Sequence, residues 1–204
     1  TRKEIVASPF LKLLGTTNSG GMMRAAAWWG RLDSRYDALL GANMDKNLPQ
    51  NRWMVLSRCR IWGVFQGHSR ELAPDCLVDF NFSYDNRGRW RFHVPTSEGK
   101  YYVLILTIIS DPNRNRVCLY IKRLKKPAKA VSFLSDKKEI NIIIRPDIED
   151  RNFHETIKAF TGPEKDWPNA IKAREDGFFF NLSNQKVLES KISNGRFVHE
   201  TEWY

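Results

Sequence analysis

The sequence predicts an all-β (mainly β) protein, an antiparallel sandwich or barrel with a few short helical turns. Three observations carry that prediction. Short apolar runs recur at intervals of roughly ten residues, with Gly, Pro, Asn and Asp clusters between them. From Arg89 to Val94 the pattern alternates, which sends Trp90, Phe92 and Val94 inward and Arg89, Arg91 and His93 to solvent. Residues 101–109 are almost wholly apolar and rich in β-branched side chains, the mark of a strand covered on both faces. A chain of 204 residues fits one large β-sandwich or two small domains. With no internal repeat, low-complexity stretch or clear linker, residues 1–204 read as one domain.

Each element follows from local chemistry. The N-terminal quarter is rich in Gly and aromatic residues: Gly20-Gly21, Ala25-Ala26-Ala27-Trp28-Trp29-Gly30, Arg35-Tyr36 and Leu39-Leu40-Gly41. Adjacent glycines allow positive φ and close backbone approach. A strand pair ending in an exposed Trp28–Trp29 step would present flat faces to sugar rings. The same two indoles serve equally well as core. From about Arg52 onward the signal is β. Tyr84-Asp85-Asn86-Arg87-Gly88 supplies turn residues, so residues 80–83 and 88–94 form a hairpin. Asp111-Pro112-Asn113 turns the chain into residues 116–124, where Val117, Leu119 and Ile121 alternate with Cys118, Tyr120 and Lys122. A further strand at 140–145 is expected to stop at Pro146, which cannot donate to a ladder. Residues 145–155 carry six charged residues and a His with little apolar periodicity, and read as a long structured loop or a short helical turn. Residues 177–182 and 185–188 form a hairpin around Ser183-Asn184, and Asn194-Gly195 makes another turn before residues 196–199.

Composition narrows the function classes. The net charge of +10 raises non-specific affinity for polyanions. The basic residues are scattered, however, and the densest stretch, Lys122, Arg123, Lys125, Lys126 and Lys129 around Pro127, reads as a solvated strand end and turn. Nucleic acid is therefore not the expected partner. Cys59, Cys76 and Cys118 are odd in number and widely spaced, which argues against a disulfide framework and a zinc site and for buried free thiols in a reducing, cytoplasmic setting. No apolar run approaches the roughly 20 residues of a membrane-spanning helix. The opening Thr1-Arg2-Lys3-Glu4 has no signal-peptide core and no initiating Met, as expected of a trimmed or processed chain. The histidines, His68, His93, His154 and His199, show no metal-ligand spacing, and no phosphate-binding glycine loop follows a strand. No cofactor and no metal are expected.

Glycoside hydrolysis needs a protonated and an ionised carboxyl flanking the bond. Asp147, Glu149, Asp150 and Glu155 are dense enough to suggest such a pair. The same density suits a loop in which Arg145 and Arg151 pair with acids. The second reading is preferred: no catalytic residue is assigned, and the stretch is taken as an ordered loop aimed at something outside the domain. His154 is by default a hydrogen-bonded structural residue and, in its sharper role, a contact to a ligand or partner domain.

The stretch Arg145-Pro146-Asp147-Ile148-Glu149-Asp150-Arg151-Asn152-Phe153-His154-Glu155 resembles the R-P-D-I-E-D-R-x-F-H-E loop of bacterial glycogen-debranching-type proteins, the amylo-α-1,6-glucosidase group. Gly20-Gly21 followed by Ser34-Arg35-Tyr36-Asp37-Ala38-Leu39-Leu40 resembles that group's opening, with Asp37 where the group has His. Gly88-Arg89-Trp90-Arg91-Phe92 is similar to its W-R-F strand, and Arg196-Phe197-Val198, ending in Glu202-Trp203-Tyr204, resembles its exit toward a helical domain. The resemblance implies an antiparallel β-supersandwich, the non-catalytic N-terminal accessory domain of an α-glucan debranching glucosidase. It further implies that the catalytic carboxylates lie on a C-terminal (α/α) barrel of the same polypeptide. Arg145, Asp147, Glu149, Asp150, Arg151, His154 and Glu155 would then face that barrel and the substrate. Trp28, Trp29, Arg35 and Tyr36 are the candidate glycan contacts. The alternatives are a stand-alone glycan-binding module and, behind it, a basic nucleic-acid-binding domain.

Overall fold

The computed structural model describes residues 8, 10–45, 47–48, 50–128, 130–156, 167–182 and 186–200. Its contacts sort into two compact units, Thr1–Glu149 and Asp150–Tyr204.

In the first unit β1 (Lys12–Thr16), β2 (Met22–Ala26), β3 (Ala38–Asn43), β4 (Arg52–Phe65) and β10 (Asn141–Asn152, of which the part to Glu149 belongs to this unit) form one sheet in the order β1-β2-β3-β4-β10, and β5 (His68–Glu71) adds to β4. A second sheet runs β6 (Leu77–Ser83), β7 (Arg87–Pro95), β8 (Tyr101–Ser110), β9 (Val117–Arg123) as an antiparallel meander. The fold is therefore all-β and sandwich-like, as the periodicity predicted.

The two sheets meet face to face around Trp90, which has no exposed surface. Its indole N–H donates to the Ala27 carbonyl at 2.8 Å, and Trp29 meets it edge-on at 5.1 Å between ring centroids. Gly88 permits the approach, because a Cβ there would overlap both Leu13 and the Trp90 ring. The alternation read from the sequence holds: Trp90, Phe92 and Val94 are fully buried, while Arg89 and His93 are exposed. The hairpin between β6 and β7 closes through Asn86 at φ 57°, a left-handed position that Asn tolerates better than most residues.

β8 explains its own sequence. Tyr102, Leu104, Leu106 and Ile108 face the sandwich interior. Val103 and Ile105 point the other way and are buried beneath Phe133, with Tyr101, Leu124 and Ala130 around them. Backbone bonds from Tyr101 to Ser132 and from Leu134 to Tyr101 hold that cover in place. A strand covered on both faces must be apolar where it is covered, and this one is from Tyr102 to Leu106.

One element departs from expectation. β10 does not stop at Pro146 but continues to Asn152, so most of the stretch at 145–155 is strand rather than loop. β10 ends the strand order of its sheet, and at such an edge a missing N–H deprives no neighbouring strand of a bond.

In the second unit a helical turn at Trp167–Ala170 precedes a three-stranded antiparallel sheet, β11 (Ile171–Arg174), β12 (Gly177–Asn181) and β13 (Val187–Lys191). Phe178, Phe180 and Leu182 are its buried apolar side chains among the described residues, and Phe197 packs on Phe178 at 4.9 Å. The β12–β13 hairpin was legible, although its turn at 183–185 lies outside the described residues. Past the bend at Asn194-Gly195 the described residues form no further strand.

The cysteines are unpaired thiols, Cys59 and Cys76 buried and Cys118 half-buried. The basic stretch ending β9 is tied to its own neighbours: Arg123 donates to the carbonyls of Ser135 and Lys138, and Asp136 accepts from the Lys126 amide. Lys129 lies outside the described residues. Among the described residues no helix is long and apolar enough to cross a membrane.

Candidate functional site

The alternation of β4 sets the geometry. Cys59, Ile61, Gly63 and Phe65 point into the sandwich, which leaves Arg58, Arg60 and Trp62 side by side on the opposite face. β10 lies beside them. The Asp147 carboxylate accepts from Arg58 Nε at 2.5 Å through Oδ2, and from Arg60 Nε and Nη2 at 3.1 Å each through Oδ1. The Ser57 hydroxyl donates to the Asp147 backbone carbonyl at 3.0 Å. Both carboxylate oxygens are thus spent on guanidinium groups, and Asp147 fastens β10 to β4. The Arg60 and Arg145 guanidiniums sit 5.9 and 6.0 Å from the Trp62 ring centroid, within range of a cation–π contact. On the inward side, burial pushes the Cys59 thiol up to about 12, with the negative charge of Asp147 adding to the effect.

The predicted residues divide between the units. Arg145, Asp147 and Glu149 belong to the first; Asp150, Arg151, His154 and Glu155 belong to the second. In the second unit Asp150 and Arg151 are buried, and Arg151 Nη1 donates to the Glu155 carbonyl at 2.9 Å. The Asn152 side chain accepts from the His154 amide at 3.1 Å, and Phe153 meets the His154 ring edge-on at 5.0 Å. His154 and Glu155 are exposed at the turn that ends β10.

The aromatic segment resolves differently from its sequence appearance. Trp29 is only 6% exposed and packs on Trp90, which corrects the expectation that it contacts glycan. The cause is that the chain leaves β2 as a turn, so neighbouring indoles diverge and Trp28 alone stays half-buried. Arg35 is exposed and lies over the half-buried Tyr36 ring at 5.1 Å. The loop carrying them is organised by Asp37, whose side chain is fully buried. Its Oδ2 accepts from Lys12 Nζ at 2.9 Å and from the amides of Asp33 at 2.6 Å and Ser34 at 3.1 Å. Arg24 Nε lies 3.2 Å from Oδ1 without the alignment of a hydrogen bond, so that oxygen is ion-paired only. The hydrogen bond from Lys12 holds the Asp33 carboxyl below the usual carboxylate range.

Sequence reasoning missed Arg58, Arg60 and Trp62. The signal was present: R-x-R-x-W at alternate positions puts two cations and an indole on one strand face, unusual for a solvated one. Among the described residues no three His, Cys, Asp or Glu side chains group as a metal site requires.

The family model for the N-terminal region of glycogen debranching enzymes matches residues 12–204. The chain belongs to this family. The match runs from β1 through β13 of the described residues and includes both the Asp37 loop and β10. No curated protein and no solved structure matches the chain significantly.

Proposed function

We propose that this glycogen debranching enzyme N-terminal domain is the non-catalytic part of a longer α-glucan debranching glucosidase, acting in a reducing, cytoplasmic setting. The observation that carries the reading is the fastening of Asp147. The most acid-rich stretch of the described chain builds a strand cross-linked to Arg58 and Arg60, not a pair of carboxyls flanking an open cleft. A catalytic acid has to exchange a proton with substrate, and a carboxylate enclosed by two guanidiniums is poorly suited to that.

In this reading residues 1–204 act as one accessory domain that docks on an (α/α) catalytic barrel of the same polypeptide. The turn at His154 and Glu155 shapes how branched α-glucan reaches the barrel. Within the full-length enzyme, His154→Ala is expected to lower kcat/KM on branched glucan about tenfold or more while the domain stays folded. Unchanged kinetics would remove His154 from substrate access.

A second reading, a glycan-binding module, keeps support from Trp28, Arg35 and Tyr36, since exposed Arg35 and half-buried Tyr36 form a cation–aromatic pair. Such a module binds maltooligosaccharide without a partner domain. Calorimetric titration of the chain with maltoheptaose, in wild type and Trp28→Ala, distinguishes the two readings.

A further inference from the structure

Between the β4–β5 hairpin and the β7–β8 turn lies a cavity of about 200 Å³, lined among others by Gly63, Ser69, Arg70, Ser97 and Tyr102. It opens on the inward side of β4, the face opposite to Arg58, Arg60 and Trp62. We propose that this cavity is a binding site for one neutral, pyranose-sized polyol, with the Tyr102 hydroxyl as its fixed polar anchor.

Four observations point there. Tyr102 is 1% exposed, and its hydroxyl makes no hydrogen bond to any described residue. That oxygen is not sealed from solvent, and the space it meets is the cavity. That hydroxyl lies where the side chain of Gly63 would otherwise be, since a Cβ at this position would overlap it. The missing side chain therefore lets the oxygen reach the cavity wall. Burial pushes the Tyr102 hydroxyl up to about 12, so at neutral pH it is an intact O–H that both donates and accepts.

The lining selects the ligand class. The Ser69 and Ser97 hydroxyls, like Tyr102, suit a partner that donates and accepts in turn, as a sugar hydroxyl does. Arg70 is ion-paired with Asp75 at the cavity mouth, where both side chains are about half exposed and solvent screens them. Phe65 and Pro95 supply the apolar patches on which the C–H face of a pyranose ring rests.

Titration of the 204-residue chain with maltose, followed by two-dimensional NMR, tests the proposal, with inorganic phosphate as the anionic probe. Maltose is expected to shift the amides of Gly63, Ser69 and Ser97 saturably, and phosphate to leave them unmoved. Tyr102→Phe removes one oxygen and keeps the ring, so it should leave the melting temperature nearly unchanged and weaken maltose at least about fivefold. Gly63→Ala should abolish binding by displacing the hydroxyl. The proposal is overturned if maltose shifts nothing in the cavity, if phosphate alone shifts it, or if Tyr102→Phe binds like wild type.

Discussion

Asp37 shows how one buried carboxylate organises a loop. This chain places it between Lys12 and Arg24 and caps it with two backbone amides. An imidazole there would leave two partly buried cations without their counter-charge. Asp37→His is therefore expected to lower stability by about 2–4 kcal/mol, read as a shift in the urea midpoint at unchanged m. A variant as stable as wild type would show that the carboxylate is dispensable. Cys59 makes a second residue-scale prediction. With its thiol raised to about 12 by burial and by Asp147, almost no thiolate is present at pH 8. The half-buried Cys118 should react with iodoacetamide first, and Cys59 only after unfolding. Because the folded value lies above the thiol's ordinary value of 9.0, this group's contribution to stability is full below pH 9 and is lost as pH rises through about 12. Rapid labelling of Cys59 in the native chain would contradict its placement.

At the scale of elements, β7 and β8 were legible and β10 only as far as Arg145, and the reasons are physical. β7 buries one face, so period-two alternation is written into Arg89–Trp90–Arg91–Phe92. β8 is covered on one side by the opposite sheet and on the other by Phe133, so alternation disappears and a continuous apolar run replaces it. The run of charge at 145–151 looked like a loop because the cations that neutralise it, Arg58 and Arg60, lie almost ninety residues earlier and are invisible to any local window. Pro146 reinforced the error, since the rule that proline ends a strand fails at a sheet edge. Trp29 was ambiguous because adjacent indoles look alike until the backbone turns between them. Hydrogen exchange tests the reassignment. The amides of Arg145 to Glu149 that face β4 are expected to be protected by about a hundredfold or more, whereas loop-like exchange throughout 145–149 would overturn it.

For the molecule as a whole, the sandwich class and the family were legible from pattern and motif. The side-chain network of the candidate site was not. The family match covers nearly all of the chain, and what the strands build is a scaffold: an interior closed by Trp90, a loop fastened by Asp37, and an edge strand riveted through Asp147. In the proposed reading bond cleavage belongs to a catalytic domain elsewhere in the polypeptide and to none of these strands. Hydrolysis of isomaltose by the 204-residue chain, measured beside the full-length enzyme, tests this most directly. The account predicts turnover by the full-length enzyme and none above background by the chain alone. Turnover by the chain that disappears in Asp147→Asn or Glu149→Gln would contradict it.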